Sequence, residues 1–346
     1  MSEISADLYT NLGQSGLKIS KVIVGCMSFG LKSWADWVVE DEELVMQVLK
    51  KCYDTGIRTF DTADMYSNGT SEVLVGKFLK KYNIPRDKVV ILSKCFWHVD
   101  GENKYVRGQY PAAEFINRIG LSRKHIVDAV QASVERLGTY IDVLQIHRYD
   151  PETPQEETMR ALNYVVEQGW TRYIGASSMR CYQFIMYQNI AEKNGWHKFI
   201  SMQNYYNLTF REEEREMIAY CKKTGVGIIP WSPIARGILA RPLGDESSSG
   251  RIKSDVGIKL NKLNALSASD QEIINRVEQL AKSRGVSMTT VATAWVLSKD
   301  CYPIVGLSKP ERVDDLLAAV SLKLTPEEIS ELETPYIAKA AQELAP

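Results

Sequence analysis

The sequence lacks several things, and each absence removes a class of protein. No two of the six cysteines (Cys26, Cys52, Cys95, Cys181, Cys221 and Cys301) form a C-x-x-C pair, and most lie in apolar runs. That argues against a disulfide framework and for reduced core thiols in a cytoplasmic protein. The four histidines have no ligand spacing with those cysteines, so no structural metal is expected. No stretch is long and apolar enough to span a bilayer, and the first residues, MSEISADLYTNLG, have no apolar core for a signal peptide. Without an export signal, the glycosylation-type triplets at Asn68 and Asn207 are expected to be coincidence. There is no charge excess either. A formal net charge of -1 points to no nucleic acid and no anionic membrane as the main partner.

What is present reads as an ordinary globular chain. Hydrophobic residues make up 45% and charged residues 25% of the 346. That length is common for one α/β barrel with insertions. Residues 58–97 set the pattern. Thr59–Phe60 ends in the polar cluster Asp61, Thr62, Asp64 and Tyr66, and Ser67-Asn-Gly69 turns the chain. Val73, Leu74, Phe78 and Leu79 follow at helical spacing, and Val89–Leu92 is a β-branched run that stops at Ser93 and Lys94. Asp61, Tyr66 and Lys94 therefore sit at or just past the C-terminal ends of two strands joined by a helix. In a parallel sheet those ends lie side by side, where α/β proteins place their chemistry.

The same strand-then-helix alternation runs through the chain about eight times. A hairpin is expected in residues 8–19, ahead of the first buried strand at 21–26. Long loops are expected at 98–121 and 235–268, a helix at 211–224, and a strand in 225–233. Capping boxes are expected at Thr153–Glu156, Ser269–Glu272 and Thr325–Glu328. No G-x-G-x-x-G opens a helix after a strand, which argues against a Rossmann sheet. The expectation is one domain over residues 1–346: a (β/α)₈ TIM barrel with an N-terminal β-hairpin and long loops at its C-terminal face.

On that reading the strand ends gather Asp61, Tyr66, Lys94, His147, Ser177, Ser178, Gln203, Trp231, Ser232 and Ser308 on one face. Each alone reads as a helix cap, a filler or a core histidine; the conjunction does not. A phenol titrates near ~10 and a general acid works best near ~7, a gap of ~4 kcal/mol. One ammonium ~4 Å away in an effective dielectric of ~20 supplies about that much. Lys94 is expected to do this for Tyr66, with Asp61 holding Lys94 charged and His147 bonding a substrate oxygen. Such a site delivers a proton to a carbonyl and needs a hydride source, not a metal.

The segments FDTADMYSNGTSE, VVILSK, QIHRYD, YIGASS, MQNYYN, WSPIARG and GLSKPERV resemble, in this order, those of the aldo-keto reductases. The likeness runs from about Tyr9 to Pro335. The insertion after Trp97 and the phrase WSPIARGILARP are similar to the fungal aryl-alcohol dehydrogenase-like branch.

The resemblance implies roles. Asp61, Tyr66, Lys94 and His147 would be catalytic, with Tyr66 the proton donor. Ser177 and Gln203 would hold the nicotinamide carboxamide, with Ser178 where many members have asparagine. Trp231 would stack on the nicotinamide, and Ser232, Ile234, Arg236 and Gly237 would wrap the pyrophosphate. Ser308, Lys309 and Arg312 would meet the adenosine 2′-phosphate, favouring NADP(H), with Asp315 near the adenine. Independently, Lys309 and Arg312 put two cations at a helix start, where an anion is favoured. Trp34, Trp37, Phe96, Trp97 and Tyr206 are expected to form an aromatic mouth for apolar aldehydes and ketones.

The expected activity is NADPH-dependent reduction of a small carbonyl compound by a cytoplasmic monomer or weak homo-oligomer. Two alternatives use the same barrel: an NADP-binding regulatory subunit like those of potassium channels, and a non-redox isomerase or dehydratase.

Overall fold

The computed structural model describes residues 4–104, 112–245 and 265–340. Parts of both expected long loops, 105–111 and 246–264, lie outside these.

The chain opens with an antiparallel hairpin, β1 (Tyr9–Asn11) and β2 (Lys18–Ser20). Eight parallel strands follow: β3 (Ile23–Gly25), β4 (Thr59–Asp61), β5 (Val90–Cys95), β6 (Ile141–Ile146), β7 (Thr171–Ser177), β8 (Phe199–Gln203), β9 (Gly227–Ile228) and β10 (Ile304–Gly306). They pair in the order β10-β3-β4-β5-β6-β7-β8-β9. The sheet then closes on itself. Trp231, just past β9, bridges Ile304 of β10, and the Ile304 amide donates to the Pro230 carbonyl at 2.9 Å. The fold is the expected (β/α)₈ barrel.

Among the described residues its α-helices are α1 (Glu42–Asp54), α2 (Thr70–Lys81), the single turn α3 (Ala112–Phe115), α4 (Arg123–Leu137), α5 (Gln155–Glu167), α6 (Cys181–Asn194), α7 (Met217–Thr224), α8 (Ala268–Arg284), α9 (Met288–Ser298), α10 (Arg312–Ser321) and α11 (Pro326–Glu333). Helix α1 shows why they form. Asp41 caps it, accepting from the Glu43 and Leu44 amides, and Val45, Val48, Leu49 and Cys52 bury one face.

Side-chain alternation along the strands fixes what faces inward. Ile23, Leu92, Val143, Ile229 and Ile304 form an inner cluster with Leu12 and Ile19 from the hairpin. The hairpin thus plugs the N-terminal end of the barrel. Gly13 is required there: at φ +59° it lies so close to β9 that a Cβ would come 2.2 Å from the Gly225 carbonyl oxygen. Lys94 and Gln145 lie two residues beyond Leu92 and Val143, so they face inward too, at the open end.

Several local expectations shift. The helix expected at 211–224 begins only at Met217, after a turn at Glu212–Glu214. The Thr153 box does not form, because the Thr153 hydroxyl donates to Asp150 instead and Pro154 caps α5. The cap of α8 lies two residues early, at Ser267 with Asp270. The Thr325–Glu328 box is as expected. The strand in 225–233 is short, since Pro230 has no amide to continue a ladder.

Candidate active site

A cavity of about 490 Å³ opens at the C-terminal end of the barrel. Asp61, Tyr66, His147, Ser177, Gln203 and Trp231 line it, together with Ser232, Ile234, Arg236 and Gly237 and with Ser308, Arg312 and Leu316.

Asp61 ends β4 and Lys94 lies on β5, the neighbouring strand. Lys94 is fully buried and its Nζ donates to Asp61 Oδ1 (2.5 Å), the Thr62 carbonyl (2.9 Å) and Tyr66 Oη (3.2 Å). An ammonium has three hydrogens and accepts nothing, so all three have partners. Tyr66 Oη is therefore an acceptor towards Lys94, and the phenol's own proton must point elsewhere. The His147 ring meets the Tyr66 ring edge-on, centroids 5.8 Å apart.

Tyr66 follows β4 on a loop with unusual backbone. Ser67, Asn68 and Gly69 all have left-handed φ angles. Ser67 Oγ accepts from the Leu31 amide at 3.0 Å, and a Cβ on Gly30 would come 2.1 Å from that oxygen. The close approach of these two loops holds Tyr66 over Lys94.

The electrostatics differ from the expected lowering of Tyr66. Burial raises the Tyr66 pKa above its ordinary value, and this outweighs the Lys94 ammonium, which lowers it. The phenol stays protonated at neutral pH. Burial lowers the Lys94 pKa, but Asp61 and Tyr66 together more than compensate, and Lys94 is held charged above its ordinary value. An acid needs its proton in the resting state, and a raised phenol beside a fixed cation meets that need. The cation faces a phenolate only once the proton has left.

Further along, Trp231 Nε1 donates to Ser178 Oγ at 3.1 Å, and Ser177 Oγ donates to the Gln203 carbonyl at 2.8 Å. Ser178 does not line the cavity; it steadies the indole. The segment after Trp231 has left-handed φ at Ser232, Ala235, Arg236 and Gly237. Such strain clusters at ligand clamps. Arg241, which the motifs did not single out, also lines the cavity.

Not every expected residue faces it. Lys309 and Asp315 lie outside the lining, although Ser308, Arg312 and Leu316 belong to it. Trp37 lines the cavity, and Trp34 lies between Trp37 and Tyr66, at 6.0 and 6.4 Å between ring centroids. Phe96 and Trp97 are buried against each other in the core and do not line it. Tyr206 is also a core residue. It packs on Trp295 and donates to Glu214 at 2.6 Å. Its neighbour Tyr205 takes the other side of the extended chain and lies against Trp231, 4.6 Å between centroids. Gln145 opens the QIHRYD segment without an assigned role there, yet it is fully buried and donates to Asp61 Oδ2 at 3.0 Å. Its place two residues before His147 on an inward-facing strand position was the available signal.

Among the described residues no group of three or more His, Cys, Asp or Glu side chains could hold a metal ion, and no helix is long and apolar enough to cross a membrane. All six cysteines are buried and unpaired.

The family model described as "Aldo/keto reductase family" matches residues 21–336. A Schizosaccharomyces pombe protein provisionally named an aryl-alcohol dehydrogenase is 59% identical, over 97% of this chain and 97% of its own length. Versiconal hemiacetal acetate reductase of Aspergillus parasiticus is 58% identical over 96% of this chain and 98% of its own. A Saccharomyces cerevisiae protein, also provisionally named an aryl-alcohol dehydrogenase, is 52% identical over 94% and 96%. With a closed barrel, a buried phenol–ammonium–carboxylate group at its open end and likeness along nearly its whole length, the chain belongs to the aldo/keto reductase family of oxidoreductases.

Proposed function

We propose that the protein is an NADPH-dependent reductase of aldehydes and ketones, with aromatic or other apolar substrates favoured. The observation that carries this reading is the contact between Lys94 Nζ and Tyr66 Oη, buried behind the wall of the cavity that Tyr66 lines. The lining supports a nicotinamide dinucleotide: it combines the Trp231 indole, Ser177 and Gln203 with the strained Ser232–Gly237 backbone and with Ser308 and Arg312. Arg236 and Arg241 add positive charge to it.

Bound NADPH would supply a hydride to the carbonyl carbon. Tyr66 gives its proton to the carbonyl oxygen, so the C=O π bond is replaced by one C–H and one O–H bond while the C–O single bond remains. Lys94 stabilises the phenolate left behind, and Asp61 keeps Lys94 charged and aimed. His147, packed against the Tyr66 ring, orients the substrate oxygen. Trp37 and Trp34 form the apolar side of the substrate end. Ser308 and Arg312 select the 2′-phosphate, which favours NADPH over NADH.

The names of the relatives, aryl-alcohol dehydrogenase and hemiacetal acetate reductase, support alcohol–carbonyl chemistry here. The buried, unpaired thiols favour a reducing compartment, so we place the enzyme in the cytoplasm. The test is NADPH oxidation by the purified protein with a panel of aldehydes and ketones, NADH alongside. No turnover with any carbonyl substrate, or conversion without change in cofactor absorbance, would refute the proposal.

A further inference from the structure

We infer that Gln145 is a positioning residue that fixes which end of the Gln203 amide the cofactor's carboxamide meets. The inference rests on the nicotinamide reading above.

Three buried side chains from β4, β6 and β8 form a closed ring. Gln145 Nε2 donates to Asp61 Oδ2 at 3.0 Å, Gln203 Nε2 donates to the same oxygen at 2.9 Å, and Gln203 Nε2 also donates to Gln145 Oε1 at 2.8 Å. The sense of this ring follows from chemistry. An ionised carboxylate only accepts, so both amides must turn their nitrogens towards Asp61. With its nitrogen on Asp61, Gln145 presents Oε1 to Gln203, and the second N–H of Gln203 donates to it. Both hydrogens of the Gln203 amide are committed, so its carbonyl oxygen is what remains for the cavity that Gln203 lines.

A carbonyl oxygen selects a donor. It accepts from the –NH₂ of a nicotinamide carboxamide and has nothing to give or take from the methyl of an acetyl group. Removing Gln145 frees one Gln203 hydrogen and leaves a single contact, to Asp61, holding the amide. The preference for a carboxamide should then weaken, while the Asp61 Oδ1 contact to Lys94 persists.

The test compares binding of NADP⁺ with its 3-acetylpyridine analogue, read by quenching of tryptophan fluorescence in wild type and Gln145→Leu. Wild type is expected to favour NADP⁺ by about tenfold, and Gln145→Leu to cut that ratio to about threefold or less. A residue that merely packs the core would shift both affinities together and leave the ratio unchanged; that result overturns the inference. So does a wild type that binds the two equally. Gln145→Met, of matching length and also without donor or acceptor groups of amide strength, carries the same comparison if the leucine variant does not fold. Wild-type protein that binds neither dinucleotide would instead sink the cofactor reading itself, and the inference with it.

Discussion

Lys94 Nζ lies 3.2 Å from Tyr66 Oη while its other two hydrogens go to Asp61 and the Thr62 carbonyl, so the phenol receives a hydrogen bond from a cation that cannot turn away. Tyr66→Phe should lower kcat for aldehyde reduction by about 10²–10⁴-fold, the usual worth of a positioned acid, with cofactor affinity nearly unchanged. Single-turnover kinetics with NADPH will show it. Retention of most of the rate would remove Tyr66 from the chemistry.

The buried phenol also has an optical signature. Burial favours its neutral form, so Tyr66 keeps its proton at pH values where an exposed tyrosine, near ~10, has already ionised. The ultraviolet difference titration between wild type and Tyr66→Phe should show no phenolate signal from this residue below that point. Lys94→Met removes the opposing cation and should push the signal higher still. A Tyr66 phenolate at neutral pH in the free protein would contradict the electrostatics described.

The proposed preference for NADPH rests on Ser308 and Arg312. Arg312→Ala should weaken NADPH binding by about 10–100-fold, the range for a charge-assisted hydrogen bond, and leave NADH binding unchanged. Fluorescence titrations with both cofactors at two salt concentrations will measure this. Equal losses for both would place Arg312 elsewhere than on the 2′-phosphate.

The aromatic residues should separate into two groups. Trp37 lines the cavity, and Trp37→Ala should raise KM for an aromatic aldehyde with little change in Tm. Tyr206 is buried on Trp295 and bonds Glu214, so Tyr206→Phe should leave KM alone and cost about 1–2 kcal/mol of stability. The opposite pattern would restore Tyr206 to the substrate mouth.

Glu213 makes stability depend on pH in an unusual direction. Burial pushes its pKa up to about 7, with the Asn204 side chain as its hydrogen-bond donor. Between its unfolded value near ~4.3 and that raised value the folded state holds a proton the unfolded chain has lost, so stability falls as pH rises through this window. Glu213→Gln keeps the Asn204 bond without the charge. It should stabilise the protein at pH 8 relative to pH 5, on the order of 1–3 kcal/mol by urea denaturation. No difference between the two pH values would show that Glu213 is solvated.

Much of the fold and the site is legible in the sequence because strands repeat with a period of two and end where their polar residues begin. Asp61, Lys94, His147 and Gln203 each follow an apolar run, and each faces the cavity or the group beneath it. What the sequence hides depends on contacts between distant segments. Nothing near Tyr206 says that Trp295, far along the chain, covers it, and a one-residue difference in an extended segment exchanges Tyr205 for Tyr206. Phe96 and Trp97 follow β5 as His147 follows β6, yet they turn into the core. Gln145 looks like an ordinary strand residue until Asp61 and Gln203 are seen on either side of it. The pKa of Tyr66 departs from expectation for the same reason: the Lys94 cation is visible in the motif, but the burial that outweighs it belongs to the whole fold.

The seam where Trp231 meets Ile304 has a consequence for how the protein is made. The strands β4 to β8, which carry Asp61, Lys94 and Gln203, are translated early, but the sheet cannot close before β10 emerges and slots between β3 and the end of β9. Until then a nascent chain carries two open parallel edges, each a template for pairing with another polypeptide. A stop codon just ahead of residue 304 would therefore leave an aggregation-prone open sheet of seven strands and not a weakened enzyme.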